Sequence, residues 1–324
     1  MQKESTILSF ARHEAEHQHA TGHHGLARNY RCAHNSLSRY LTSICQPHLT
    51  LSELTSDFIL DYQSWLWSQG ISRNTSSCYL RSLHAIFNRA VRLGLATGDP
   101  FTLAYTGVAK TRKRAIQSED IQRLLHLSIA DGLVRLGKSP HHKWFGRHLQ
   151  QLEFARDLFL FCFSSRGMTF VDLAYLRPSD IHNGHIHYAR RKTRQPIEVR
   201  IEPIMYSIIR KYHRPDSPYL FPILHSLIPQ EAYTQYRKAL RTYNFHLQQL
   251  SAMLGPDISL SSYVSRHSWA TIAYQQQIPI SVISQAMGHD SERTTRIYLK
   301  SLENNMIDEA NHNLLEKIFS PLLC

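Results

Sequence analysis

The region from Ile181 to Ile201 constrains the fold most, because it is where a chain of otherwise helical texture demands a sheet. Ile181-His182-Asn183-Gly184-His185-Ile186-His187-Tyr188 has Asn-Gly at its centre. That pair between short alternating runs is the strongest short-range signal for a two-residue β-hairpin, since both central positions of the favoured turn need φ above zero. Pro196-Ile197-Glu198-Val199-Arg200-Ile201 alternates apolar and polar residues and reads as a third strand. The expected fold class is mainly α with a small antiparallel β-sheet.

Residues 1 to about 105 read as helices only. Ile7, Leu8, Phe10 and Ala11 open a short helix that runs toward a His-rich bend. Gly25 to Ile44 and Leu51 to Ser68 follow with apolar residues at helical spacing, and Gly70 closes the second of them. Ser72-Arg73-Asn74-Thr75 supplies cap residues for a helix carrying Leu80, Leu83 and Phe87, which Gly98-Asp99-Pro100 is expected to stop. Arg73, Arg81, Arg89 and Arg92 give this bundle a basic face. Residues 106–117 read as a linker, strongly basic at Lys110-Thr111-Arg112-Lys113-Arg114. Such a run is either solvated or laid along a phosphate backbone. Residues 118–324 form the second domain, opened by Ser118 as a cap with Glu119 and Asp120 behind it. Within it, 136–150 reads as a surface insertion, Leu152 to Phe163 as a buried helix, and 227–253 and 258–318 as helix again.

At 324 residues the chain is long enough for two cores, and its formal net charge of +12 favours a polyanionic partner. The five cysteines, odd in number and without framework spacing, suit a reducing cytoplasm. The N-terminus lacks the basic-then-apolar pattern of a signal peptide, and no apolar run approaches the length of a membrane span. Although 21 histidines are present, no His-Glu-x-x-His or Cys-x-x-Cys spacing occurs, so neither a metal nor a cofactor is expected.

Two segments near the C-terminus carry chemistry. Met287-Gly288-His289-Asp290 precedes Tyr298 such that tyrosine follows histidine by nine residues, and Tyr263-Val264-Ser265-Arg266-His267-Ser268-Trp269-Ala270 lies upstream. Together they resemble the closing motifs of the tyrosine recombinases, the phage-integrase family. The resemblance covers essentially the whole chain and is most specific over 258–300. It implies an all-α SAM-like core-binding domain over 1–105 and an α+β catalytic domain over 118–324. It also implies a reaction without metal or ATP, in which Tyr298 attacks a DNA phosphate and is left as a 3′-phosphotyrosyl link. Arg166 and Arg266 would hold the non-bridging oxygens, Lys192 in Arg190-Arg191-Lys192-Thr193 would protonate the leaving 5′ oxygen, and His289 would orient or exchange a proton with the nucleophile.

Two positions depart from the family pattern. Where the usual first arginine would stand, three residues before the acid Asp172, the chain has Thr169; Arg166 lies one helical turn earlier, on the same helix face, and is carried as the first arginine. Thr169 then becomes a candidate hydroxyl donor, Asp172 a structural brace for the arginine helix, and Asp180 falls at the family's distance beyond Leu176. Tyr263 replaces the histidine of His-x-x-Arg, with His267 in support; a phenol donates to phosphate but does not shuttle protons near neutral pH. Arg73, Asn74, Thr75, Arg81, Lys110, Arg112, Lys113, Arg114, Arg190 and Arg191 are the candidate DNA contacts. Phe170 and Trp269 are expected in the core.

The implied partner is double-stranded DNA, met by a homo-tetramer on paired sites, with accessory DNA-bending or directionality proteins and no membrane. An amphipathic helix over 305–323 would pack on its own domain or dock on a neighbouring subunit. Integration and excision, inversion, and dimer resolution stay open as roles, with no extra arm-binding domain expected. A type IB topoisomerase shares the chemistry, and a DNA-binding protein that has lost catalysis is the reading from another class. The small helical N-terminal domain argues against the first, and a covalent adduct would exclude the second.

Overall fold

The computed structural model describes residues 6–109 and 115–299, the last three by their backbone alone. Lys110, Arg112, Lys113 and Arg114, and the helix expected over 305–323, lie outside the described residues. The chain divides into two compact units, Met1–Thr111 and Arg112–Cys324. No described helix is long and apolar enough to cross a membrane.

The first unit is built from α1 (Ile7–Ala20), α2 (His24–Ser43), α3 (Ser56–Ser68) and α4 (Arg73–Arg92). Hydroxyls of Thr6, Thr55 and Ser72 accept from backbone N–H groups in the first turns of α1, α3 and α4, satisfying donors the helix cannot. Leu37 and Leu41, Ile59, Tyr62 and Leu66, and Leu80, Leu83 and Phe87 form the core. The buried Tyr62 phenol donates to Ser36 Oγ at 2.8 Å. α3 starts at Ser56 rather than near Leu51 because Glu53 Oε2 accepts from Thr50 N and Thr50 Oγ1, both at 2.8 Å, and turns the chain there. α4 ends at Arg92, earlier than Gly98, because Gly94 takes φ +70° and Leu95 N reaches back to Ala90 O at 3.0 Å, a Schellman stop.

Part of the expected linker belongs to this unit. Ser77 Oγ donates to Gly107 O at 2.7 Å. The Asn74 side chain donates to Ala109 O at 3.0 Å and accepts from Ala109 N at 2.7 Å. Residues 107–109 are thereby fastened to the first turn of α4.

The second unit runs α5 (Ser118–Leu125), α6 (Ile129–Arg135), α7 (Phe145–Ser164), α8 (Phe170–Ala174), then β1 (Ile181–His182), β2 (His185–Ala189) and β3 (Pro196–Arg200). It continues with α9 (Pro203–Tyr212), α10 (Pro229–Leu254), α11 (Val264–Gln275), α12 (Ile280–Ala286) and α13 (Glu292–Leu299). Gln117, not Ser118, is the cap of α5, its side chain and that of Asp120 closing a capping box. α7 begins inside the predicted insertion, which shortens the exposed loop to 136–144. α9, not anticipated from spacing, starts on Pro203 at its first position, where a missing N–H costs nothing. The sheet is antiparallel in the order β1-β2-β3, with His182 opposite His185 and Ile186 opposite Val199. Asn183 and Gly184 take φ +51° and +73°, as the hairpin signal requires. Leu158, Phe159 and Phe161 of α7, Leu247 and Leu250 of α10, and Ile186 and Val199 of the sheet share one core, which also buries Phe170 while Trp269 packs half-buried beside Ala270 and Ile283.

Candidate active site

The turn between α12 and α13 is held by two buried arginines that bind consecutive carbonyl oxygens. Arg266, on α11 and 3% exposed, donates from Nη2 to Met287 O at 2.7 Å and from Nη1 to Gly167 O at 2.7 Å. Arg190, in the β2–β3 turn and 4% exposed, donates from Nη1 to Gly288 O at 2.7 Å. Gly288 fits because its φ is +61° and a Cβ there would lie 2.7 Å from both Arg190 Cδ and Ile197 Cδ1. The expectation that Arg190 lies on DNA as a surface contact is therefore corrected: its guanidinium is buried against Gly288 O.

The next residue is His289. Arg266 Nη2 lies 2.8 Å from His289 Nε2, and His289 Nδ1 lies 2.8 Å from the buried Thr295 Oγ1. A guanidinium has only donors, so Nε2 must accept; the proton of the neutral ring then sits on Nδ1 and is donated to Thr295. Burial, followed by the charges of Arg266, Arg190 and Lys192, lowers the His289 pKa to about 3. Thr295 stands on α13, the helix whose backbone carries Tyr298 one turn later. Arg266, His289 and Thr295 thus form a hydrogen-bonded chain onto the tyrosine's helix. The Tyr298 side chain itself lies outside the described residues.

Arg166 is not on a helix. α7 ends at Ser164, and Arg166 and Gly167 take φ +58° and +71° in a left-handed turn. The one-turn helical argument for its reach is corrected accordingly; what brings it to the site is the backbone. Gly167 O is the acceptor for Arg266, and a Cβ on Gly167 would fall 2.9 Å from Arg266 Cα. The two arginines are therefore neighbours through Gly167. The half-buried Arg166 donates from Nη1 to Glu198 O at 3.2 Å on β3.

Thr169 caps α8 and donates its hydroxyl hydrogen to Asp172 Oδ2 at 2.6 Å, so it is no phosphate donor here. Asp172 Oδ1 accepts from Arg191 N at 2.9 Å, and Arg190 Nε lies 4.0 Å from Oδ2. The carboxylate braces the β2–β3 turn rather than an arginine helix. Lys192 is exposed in that turn, which is closed by Arg190 N donating to Gln195 O at 2.8 Å. Arg191 sits beside it with its guanidinium 3.7 Å from the Tyr175 ring centroid. Asp180 caps the short 3₁₀ turn at Pro178, accepting from Arg177 N at 2.8 Å. Tyr263 is 47% exposed at the start of α11, its ring 5.8 Å from that of His267.

In the first unit Arg73 and Arg81 are exposed, the Arg73 guanidinium lying 5.5 Å from the Trp67 ring. Thr75 Oγ1 shares a 2.9 Å hydrogen bond with Ser72 Oγ. The Asn74 side chain, expected to face DNA, is instead half-buried and tied to the Ala109 backbone through Oδ1 and one Nδ2 hydrogen. Sequence reasoning did not find Gly167, Gly288 or Thr295. The two glycines adjoin Arg166 and His289 in the sequence, and a glycine beside a candidate site residue is the available signal for a tight turn; Thr295 carried none.

Residues 6–108 match the family profile described as a phage integrase SAM-like domain, and residues 150–305 match that of the phage integrase family. No curated protein matches the chain. Among solved structures, it is similar to a lambda integrase tetramer bound to a Holliday junction, with a TM-score of 0.61 and 14% identity over 92% of this chain and 78% of that one. A lambda integrase dimer bound to a COC′ core site gives 0.59 and 16% over 91% and 77%. The Tn1549 transposon integrase with a circular intermediate DNA gives 0.55 and 13% over 90% and 94%. At these identities the structures speak for the fold.

Proposed function

The chain belongs to the phage integrase family of tyrosine recombinases, and on that premise we propose that it cuts and rejoins DNA through a covalent bond between Tyr298 and a 3′ phosphate. The carrying observation is the chain of hydrogen bonds from Arg266 through His289 to Thr295. It couples a buried, fixed guanidinium to the helix of the nucleophile.

In the proposed step the Tyr298 oxygen forms a bond to phosphorus while the bond from phosphorus to the 5′ oxygen breaks. Arg266 and Arg166 hold the non-bridging oxygens, whose negative charge grows in the transition state. For the proton transfer Arg266 Nη2 gives up its hydrogen bond to His289 Nε2 in favour of the bound phosphate, and the freed Nε2 takes the phenolic proton, its basicity restored by the phosphate's negative charge. Lys192 gives a proton to the departing 5′ oxygen, and the reverse sequence rejoins a strand with its phosphodiester energy conserved. The cations are side chains, so metal and ATP have no part in the proposal. Tyr263 adds a hydroxyl donor at the rim. DNA paired at two sites would assemble four copies, and integration, inversion or resolution would follow from how the sites are arranged. A cytoplasmic location, where DNA is reached, goes with this role.

The test uses a nicked duplex carrying the site that the protein selects from random DNA. Wild type is expected to form an adduct on denaturing gels, with or without EDTA, and Tyr298→Phe none. Tight binding without adduct overturns the proposal.

A further inference from the structure

A second cationic cluster stands outside the site just described. Between Asp131 and Glu153 the sequence has Arg135, Lys138, Lys143 and Arg147 and no carboxylate. The middle of this stretch folds as an exposed loop leading into α7, around Trp144, which is 51% exposed. Lys143 Nζ lies 5.4 Å from the Trp144 ring centroid and the Arg147 guanidinium 5.7 Å. A cavity of about 600 Å³ opens beside the indole, lined by Lys138, His142, Arg147 and His148 among others. Among the described residues no carboxylate pairs with Lys138, Lys143 or Arg147.

Folding gives no reason for this arrangement. A large aromatic left in water forgoes its burial, and three cations gathered with no counter-charge repel one another. A ligand that is planar and anionic compensates both costs together: its ring stacks on the indole and its phosphates meet the cations. The concave side beside Trp144 is of the size that takes a small-molecule unit rather than a flat surface. A duplex keeps its base faces stacked and out of reach, whereas an unpaired base offers one. We propose that the Trp144 cavity is a binding site for single-stranded DNA, taking one unpaired nucleotide with its base on the indole and its phosphates at Lys138, Lys143 and Arg147. This goes beyond the recombinase reading and does not depend on it.

The experiment measures binding of a fluorescent eight-nucleotide oligothymidylate, and of a blunt duplex of random sequence, to the full chain by anisotropy. Trp144→Ala is expected to weaken the single strand roughly tenfold, as loss of one stacked base does, and Trp144→Phe to retain most of the affinity. Lys143→Ala with Arg147→Ala should weaken the single strand and flatten its salt dependence. Duplex binding should stay within twofold in the tryptophan variants. Unchanged single-strand binding in Trp144→Ala overturns the proposal. So does an equal loss on the duplex, which would make the patch a general phosphate contact. Loss confined to anionic phosphatidylserine vesicles would point to a membrane surface and also overturn it. Because Trp144 is exposed, an unaltered melting curve checks that each variant is folded.

Discussion

Two groups of cations in the catalytic unit are built in opposite ways. Arg266 and Arg190 are buried and aimed at the carbonyls of Met287 and Gly288, while Lys138, Lys143 and Arg147 stand in water around an indole. The first pair has its geometry fixed before any substrate arrives, and desolvation makes each charge count for more. The second group keeps its side-chain freedom and its hydration, so it can attract an anion but not shape a transition state. One region should therefore be sensitive in rate and stability, the other in affinity alone.

The largest effect that would break this contrast is on chemistry. Arg266→Lys keeps the charge but loses the planar fork that spans Gly167 O, Met287 O and His289. Adduct formation at saturating DNA is expected to slow by about a hundredfold or more, the scale of losing one transition-state donor. Lys143→Ala and Arg147→Ala should leave that rate unchanged. A comparable fall in both sets would erase the distinction.

Next comes stability. Arg190→Ala leaves Gly288 O and the buried Asp172 without their cation, and a loss of about 3 kcal/mol is expected in urea denaturation. The surface variants should melt with wild type. If Arg190→Ala proved neutral in stability yet weakened DNA binding, Arg190 would be a DNA contact after all.

The last effect is on acid stability. His289 has a pKa near 6.5 when unfolded and about 3 when folded, so the unfolded chain binds the proton first. The contribution is full above pH 6.5 and is lost as the pH falls toward 3. His289→Asn is expected to remove that part of the slope, giving a shallower decline of stability between pH 6.5 and 4 than wild type shows.

Much of this was legible because local chemistry leaves few options. Asn183-Gly184 turns the hairpin that the pair announces, and Ser72 starts α4 where a donor needs an acceptor. The family motifs named Arg266 and His289. What could not be read was where a charge points. Arg190 and Arg191 are adjacent arginines in one turn, yet one is buried on a carbonyl and the other lies on a tyrosine ring at the surface. Asn74 looked free for DNA until Ala109 folded back onto it from thirty-five residues away. Arg166 was given its place by two left-handed residues, a backbone state that an arginine in a sequence does not announce.

The central claim is that Tyr298 is the nucleophile that this arginine–histidine centre serves, and Tyr263, exposed at the start of α11, is the tyrosine it must be told apart from. Trapping the DNA adduct, digesting protein and DNA, and locating the nucleotide by mass spectrometry decides between them. The predicted result is a 3′-linked nucleotide on the peptide containing Tyr298 and on no other. A nucleotide on the Tyr263 peptide, or an adduct that persists in Tyr298→Phe, would contradict the account.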